Sequence, residues 1–193
     1  LVRYDRHDGT QVKHWPLEGV TFSGSIHTVS QSRDWVILCD SGNFKADTDE
    51  MFGGERSVTI DAEVPVWLIR KEQVEGLASG TQVRPTCFTM SPPTGHYYAK
   101  WDDTDGVSVV WEGMDLMDLG YYLRPDDLDV NGKPIDPAVA GLYNMAMAPE
   151  TITEVVFDPT AGRIRHVASF RQDWTFNLQL SAMDWSTEGM GNP

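Results

Sequence analysis

Val155-Val156-Phe157-Asp158-Pro159-Thr160-Ala161-Gly162-Arg163-Ile164-Arg165-His166 reads as a strand ending in Asp, a short Gly-containing turn, and a polar returning strand ending in His. The same scheme stands near the start of the chain, in Arg3-Tyr4-Asp5-Arg6-His7-Asp8-Gly9-Thr10-Gln11-Val12-Lys13-His14. Hairpins recurring this way suit the outer strands of β-propeller blades, where radial repetition leaves only short protected edges. The sequence between them agrees. Trp35 to Cys39, Val64 to Ile69, Val107 to Trp111, Ile152 to Phe157 and Ile164 to Phe170 are rich in β-branched and aromatic residues and bounded by turn formers. Turns are explicit at Asp8-Gly9, Asp105-Gly106 and Asn131-Gly132. The expected fold class is all-β. Propeller blades take roughly 40–45 residues each, so this length supplies about four. The chain opens without Met in the strand-like Leu1-Val2-Arg3-Tyr4, so the expectation is an incomplete portion of a larger propeller. No linker divides it, which gives one unit over 1–193 with a loop and short-helix excursion at about 114–147, the helix at Pro137 to Met145.

The composition narrows the function. The 193 residues are 40% hydrophobic and 10% aromatic, enough to bury a sizeable core. Seven tryptophans and seventeen glycines favour sheet and turn over a helical bundle. A net charge of −14 argues against a nucleic-acid backbone or an anionic membrane surface as partner. No apolar run approaches the roughly 18 residues of a transmembrane segment. Cys39 and Cys87 both sit beside apolar residues, and the expectation is two buried reduced thiols in a cytoplasmic protein.

Two histidines head aromatic, strand-like segments: Ser25-Ile26-His27-Thr28-Val29-Ser30-Gln31-Ser32-Arg33-Asp34-Trp35-Val36-Ile37-Leu38, and Gly95-His96-Tyr97-Tyr98-Ala99-Lys100-Trp101-Asp102-Asp103. A neutral imidazole is a common metal ligand, and a histidine at the mouth of a strand can point into a shared central cavity. Lying 69 positions apart, the two are no local metal knuckle, but neighbouring blades could supply one ligand each.

These segments resemble the carotenoid oxygenase family. The stretch from His27 is similar to that family's histidine followed by Asp-Phe-Ala-x-Thr-x-Asn-Tyr and an apolar strand. The stretch from Cys87-Phe88 through His96 to Asp103 resembles its later His-x-x-Asn-Ala-Trp-Glu-Asp pattern, with Trp101 in register and Asp102 in place of Glu. Val64-Pro65-Val66-Trp67-Leu68-Ile69-Arg70 looks like the family's strand ending in Arg. The resemblance implies a seven-bladed propeller holding Fe(II) on four histidines, with His27 and His96 as the second and third ligands. The first would lie upstream of Leu1 and the fourth beyond Pro193. It implies a non-haem Fe(II) dioxygenase that uses O2 to cleave a conjugated C=C bond of an apocarotenoid or stilbene-like substrate into two carbonyl products. Phe88, Tyr97 and Trp101 would line the apolar approach. The sequence departs from the family where its Glu-Phe-Pro element should stand, since the counterpart Thr175-Phe176-Asn177 lacks the carboxylate, and Ala99 replaces the Asn after the later histidine.

The alternative is a propeller-type binding or scaffold protein without a catalytic metal. A histidine in a strand-rich protein is commonly a hydrogen-bonded structural residue. Read in the same way, His7, His14 and His166 lie in polar hairpins facing solvent. Trp35 and Trp101 read as core aromatics before substrate platforms. The acidic clusters Asp47-Thr48-Asp49-Glu50 and Asp126-Asp127-x-Asp129 lack the Gly and terminal Glu of an EF-hand loop and read as solvated turns. No phosphate-binding Gly-rich loop or nucleophile elbow is present.

Overall fold

The computed structural model describes residues 1–23, 26–41, 44–45, 48–56, 61–114, 117–118, 122–129, 131–142, 146–147 and 150–171. Thirteen strands run in chain order: β1 Val2–Tyr4, β2 Gln11–His14, β3 Val29–Gln31, β4 Trp35–Cys39, β5 Phe44–Lys45, β6 Val64–Arg70, β7 Thr86–Met90, β8 Thr94–Ala99, β9 Val107–Met114, β10 Met117–Asp118, β11 Ala146–Met147, β12 Glu150–Asp158 and β13 Arg163–Arg171. Two short helices, α1 (Thr48–Met51) and α2 (Lys71–Glu75), and a 3₁₀ turn at Pro137–Val139 complete the described elements. The protein is all-β. Of the helix expected over Pro137 to Met145, only that 3₁₀ turn forms, capped by the Asp136 carboxylate accepting from Ala138 N; residues 143–145 lie outside the described residues, as do Thr175-Phe176-Asn177.

Three sheets are antiparallel: the β1–β2 hairpin and two four-stranded meanders, ordered β3-β4-β6-β7 and β8-β9-β12-β13. A small fourth sheet, β11-β10-β5, pairs β10 in parallel with β5. Among the described residues no helix is long and apolar enough to cross a membrane.

The alternation of side chains explains why some strands read as unbroken apolar runs. Ile37 and Cys39 of β4 and Val64, Val66 and Leu68 of β6 face the second meander, where they meet Tyr97, Val107, Val109, Trp111, Val155 and Phe157. Their neighbours Leu38, Trp67 and Ile69 face the other way, onto Trp15, Val74 and Val83. The central strands β4 and β6 are therefore buried on both faces, and a doubly buried strand has no need of polar alternation. The second meander is sided. In β9, Val107, Val109 and Trp111 enter the core between the sheets, and Ser108, Val110 and Glu112 occupy the opposite face.

β7 shows the same alternation. Phe88 turns inward and Cys87 outward, so only Cys39 of the two free thiols is buried, and Cys87 departs from the expectation of a buried thiol. Burial, reinforced by Asp40, pushes the Cys39 thiol pKa far above its ordinary value.

One turn tests the packing sharply. Gly106, in the turn expected at Asp105-Gly106, has φ +109°, and a Cβ there would stand 2.8 Å from Val156 Cγ1 and 2.9 Å from the Phe157 carbonyl oxygen. Both the backbone conformation and the space require glycine. Gly106→Ala is expected to cost roughly 2–4 kcal/mol, seen as a melting temperature lower by roughly 5–15 °C. An unchanged melting curve would contradict this packing.

Candidate metal centre

The site forms where the free edges of the two meanders meet. β3 and β8 each pair with one neighbour only, and each presents an unpaired edge toward the other. Side chains take the place of a ladder between them: Ser30 Oγ accepts from Ala99 N at 2.9 Å. At the far end, Arg33 N donates to Trp101 O at 2.8 Å. There the buried Asp103 carboxylate accepts from Ser32 Oγ (2.7 Å), Asp34 N (2.8 Å) and Arg33 Nη2 (2.9 Å). With its oxygens satisfied by three donors, Asp103 is a fastener between the sheets.

At the near end, His27 and His96 face each other. Their Nε2 atoms are 2.9 Å apart and their ring centroids 4.8 Å. His96 sits inside β8, directly opposite Glu112 of β9, on the face away from the inter-sheet core. From that register the Glu112 carboxylate reaches His96 Nδ1 at 2.6 Å. Glu112 is 1% exposed and His96 5%, whereas His27, on the segment leading into β3, is open to solvent. A bulge at Gly95 sets this register: Thr94 pairs with Gly113 and His96 with Glu112, leaving Gly95 between them as the extra residue. The Thr94 hydroxyl fills the irregularity. It accepts from His96 N (2.9 Å) and shares its own proton between the carbonyls of His96 and Glu112.

The electrostatics follow from this placement. With its proton on Nδ1, bonded to a carboxylate, His96 turns the Nε2 lone pair toward His27. Partial desolvation of the ring, followed by the neighbouring His96, holds the His27 pKa below its ordinary 6.5, while Glu112 pulls it the other way. Neutral imidazole, the form that binds cations, is thus favoured at pH 7.

The pair also fits a shared cation in its dimensions. Imidazole nitrogens sit about 2.0–2.1 Å from a bound metal, so two of them at the right angle of an octahedral ion stand about 3 Å apart. A carboxylate on the outer ring nitrogen is the usual companion of such a ligand. Among the described residues, no group of three or more His, Cys, Asp or Glu side chains gathers as a ligand set. The described residues thus bring together two imidazoles and one carboxylate.

The other residues singled out from sequence lie elsewhere. Phe88 packs against Phe157 (centroids 5.1 Å apart) in the core between the sheets. Trp101 lies beyond the opposite end of β8, half-buried, with Lys71 Nζ 5.0 Å from its ring. Tyr97 is fully buried and stacked on Trp111 at 5.6 Å, on the opposite face of β8 from His96. A period of two decides this: Tyr98, half-buried, shares the histidine's face, and Tyr97 does not. None of the three expected substrate contacts is brought to the histidine pair by a described contact of its ring. His7, His14 and His166 are exposed. Asp127 is no solvated turn: Arg56 Nη1 and Nη2 pair with it, and its side chain is 12% exposed.

Glu112 was not among the expected site residues. Its signal was present in the sequence as a lone acid closing the apolar run Val107-Ser108-Val109-Val110-Trp111. No family model, no curated protein and no solved structure matches this chain.

Proposed function

We propose that the protein is a non-haem iron oxygenase of the carotenoid oxygenase type, built on part of a β-propeller, which cleaves a conjugated C=C bond of an apolar substrate with O2. The observation that carries this is the meeting of His27 Nε2 and His96 Nε2 at 2.9 Å, with Glu112 on the outer nitrogen of His96. The two four-stranded meanders, each paired in sequence order with its first strand beside the other's, suit adjacent blades.

His27 and His96 would hold Fe(II). Bound there, the ion supplies redox chemistry toward O2, and neutral imidazoles leave its charge uncompensated, which favours the ferrous state. The chain's own part is geometric. Glu112 holds the His96 proton on Nδ1 and keeps the ring from turning. Tyr98 and Val110 lie on the same face and offer apolar surface beside the pair. In the overall reaction both atoms of O2 enter the products, one on each new carbonyl.

The test is anaerobic loading with Fe(II), then oxygen uptake in the presence of a stilbene or an apocarotenoid. Uptake with two carbonyl products supports the reading; iron-loaded protein that consumes no oxygen with either substrate contradicts it. The two-ligand count among the described residues favours one second reading, a metal-free scaffold in which the 2.9 Å contact is an imidazole–imidazole hydrogen bond. Folded protein that takes up no iron would support that reading.

A further inference from the structure

We propose that Tyr97 and Thr28 are positioning residues that hold His27 against His96; this rests on the metal-centre reading above. His27 lies outside any strand, so the β3 ladder does not fix it. Two side-chain hydrogen bonds fix its neighbour instead. Thr28 Oγ1 donates to the Gly95 carbonyl at 2.7 Å, the residue left between ladder pairs by the β8 bulge. The Tyr97 hydroxyl, arriving from the opposite face of β8, has the Thr28 carbonyl at 2.7 Å and the Ile37 carbonyl at 3.1 Å within reach of its one proton.

Thr28 is thus held by its side chain and by its backbone to the two residues that flank His96. The peptide carrying His27 and the strand carrying His96 move as one body. Tyr97 is suited to this, because its ring cannot shift: it is 0% exposed and stacked on Trp111. The reason for a tyrosine in the middle of an otherwise apolar cluster is then its hydroxyl, since phenylalanine would fill the same space.

A loosened pair would still bind a cation, but more weakly and with altered geometry. Outer residues that orient metal ligands typically contribute 10–100-fold in affinity. The test is a Co(II) titration followed by visible absorption, which reads both affinity and ligand geometry, on four forms of the protein: wild type, Tyr97→Phe, Thr28→Val and Thr28→Ser. Circular dichroism shows whether each is folded. Expected are at least tenfold weaker Co(II) binding and a changed absorption band for Tyr97→Phe and Thr28→Val, with Thr28→Ser close to wild type because it keeps the hydroxyl. Should Tyr97→Phe fail to fold, the Thr28 pair decides alone. Wild-type affinity and spectrum in Thr28→Val and in folded Tyr97→Phe would overturn the positioning role and leave the metal centre standing. A wild type that takes up no Co(II) would overturn both.

Discussion

Replacing His96 by alanine is expected to abolish stoichiometric metal binding, measured as Fe(II) or Co(II) retained after gel filtration. The substitution removes one of the two facing ring nitrogens proposed to bind the ion and also takes the imidazole from beside Glu112, a carboxylate 1% exposed. Depriving a buried acceptor of a donor costs about 1–3 kcal/mol, and more for a charged group, so a lower melting temperature accompanies the metal loss. The two effects separate with Glu112→Gln. That side chain keeps its volume and still offers Nδ1 a carbonyl acceptor, but it loses the negative charge that faces the ring. Binding is expected to fall about 10–100-fold while the protein remains folded. Unchanged metal content in His96→Ala would remove the histidine from the site outright.

Trp111→Ala is expected to have the largest effect on folding. Trp111 is 0% exposed, stacks on Tyr97 at 28° between ring planes, and donates from Nε1 to the Pro92 carbonyl at 2.9 Å. It stands in β9 opposite Tyr97 on one side and Thr153 on the other, so it spans the middle of the second meander where that sheet meets the first. Removing a buried aromatic leaves a cavity that a packed interior cannot close, at about 3–5 kcal/mol. Domains are stable by about 5–15 kcal/mol, so this is a large share of the whole. Chemical denaturation should show the loss as a lower midpoint with little change of slope. Because Tyr97 rests on this ring, Trp111→Ala should also weaken Co(II) binding in the fraction that stays folded.

Strand content was readable from the sequence because it rests on local chemistry. Trp35 to Cys39 forms β4 with the expected ends, and the runs from Val64, Val107, Ile152 and Ile164 form β6, β9, β12 and β13 with ends extended by one to three residues. The extension matters at β9. An apolar criterion closes that strand at Trp111 and so leaves out Glu112, whose role depends on which residue faces it across the sheet. Cross-strand register is a non-local property, and the Gly95 bulge that sets it has no signature beyond a single glycine. The same limit applies to Tyr97. Its aromatic ring beside a histidine suggests a substrate wall, yet strand parity sends it into the core. The meeting of His27 with His96 was accessible through the pattern around each. The bonds from Thr28, Ser30 and Tyr97 that bring the strands together were not, because hydroxyl residues in strands are common and their partners lie about 70 positions away.

Histidine side-chain ¹⁵N spectra recorded during a Zn(II) titration read both ring nitrogens at once. If the pair shares one cation, the Nε2 resonances of His27 and His96 shift together and are complete at one equivalent, while His96 Nδ1 keeps its proton toward Glu112. Movement of only one Nε2, or of neither at saturating Zn(II), would contradict a shared centre.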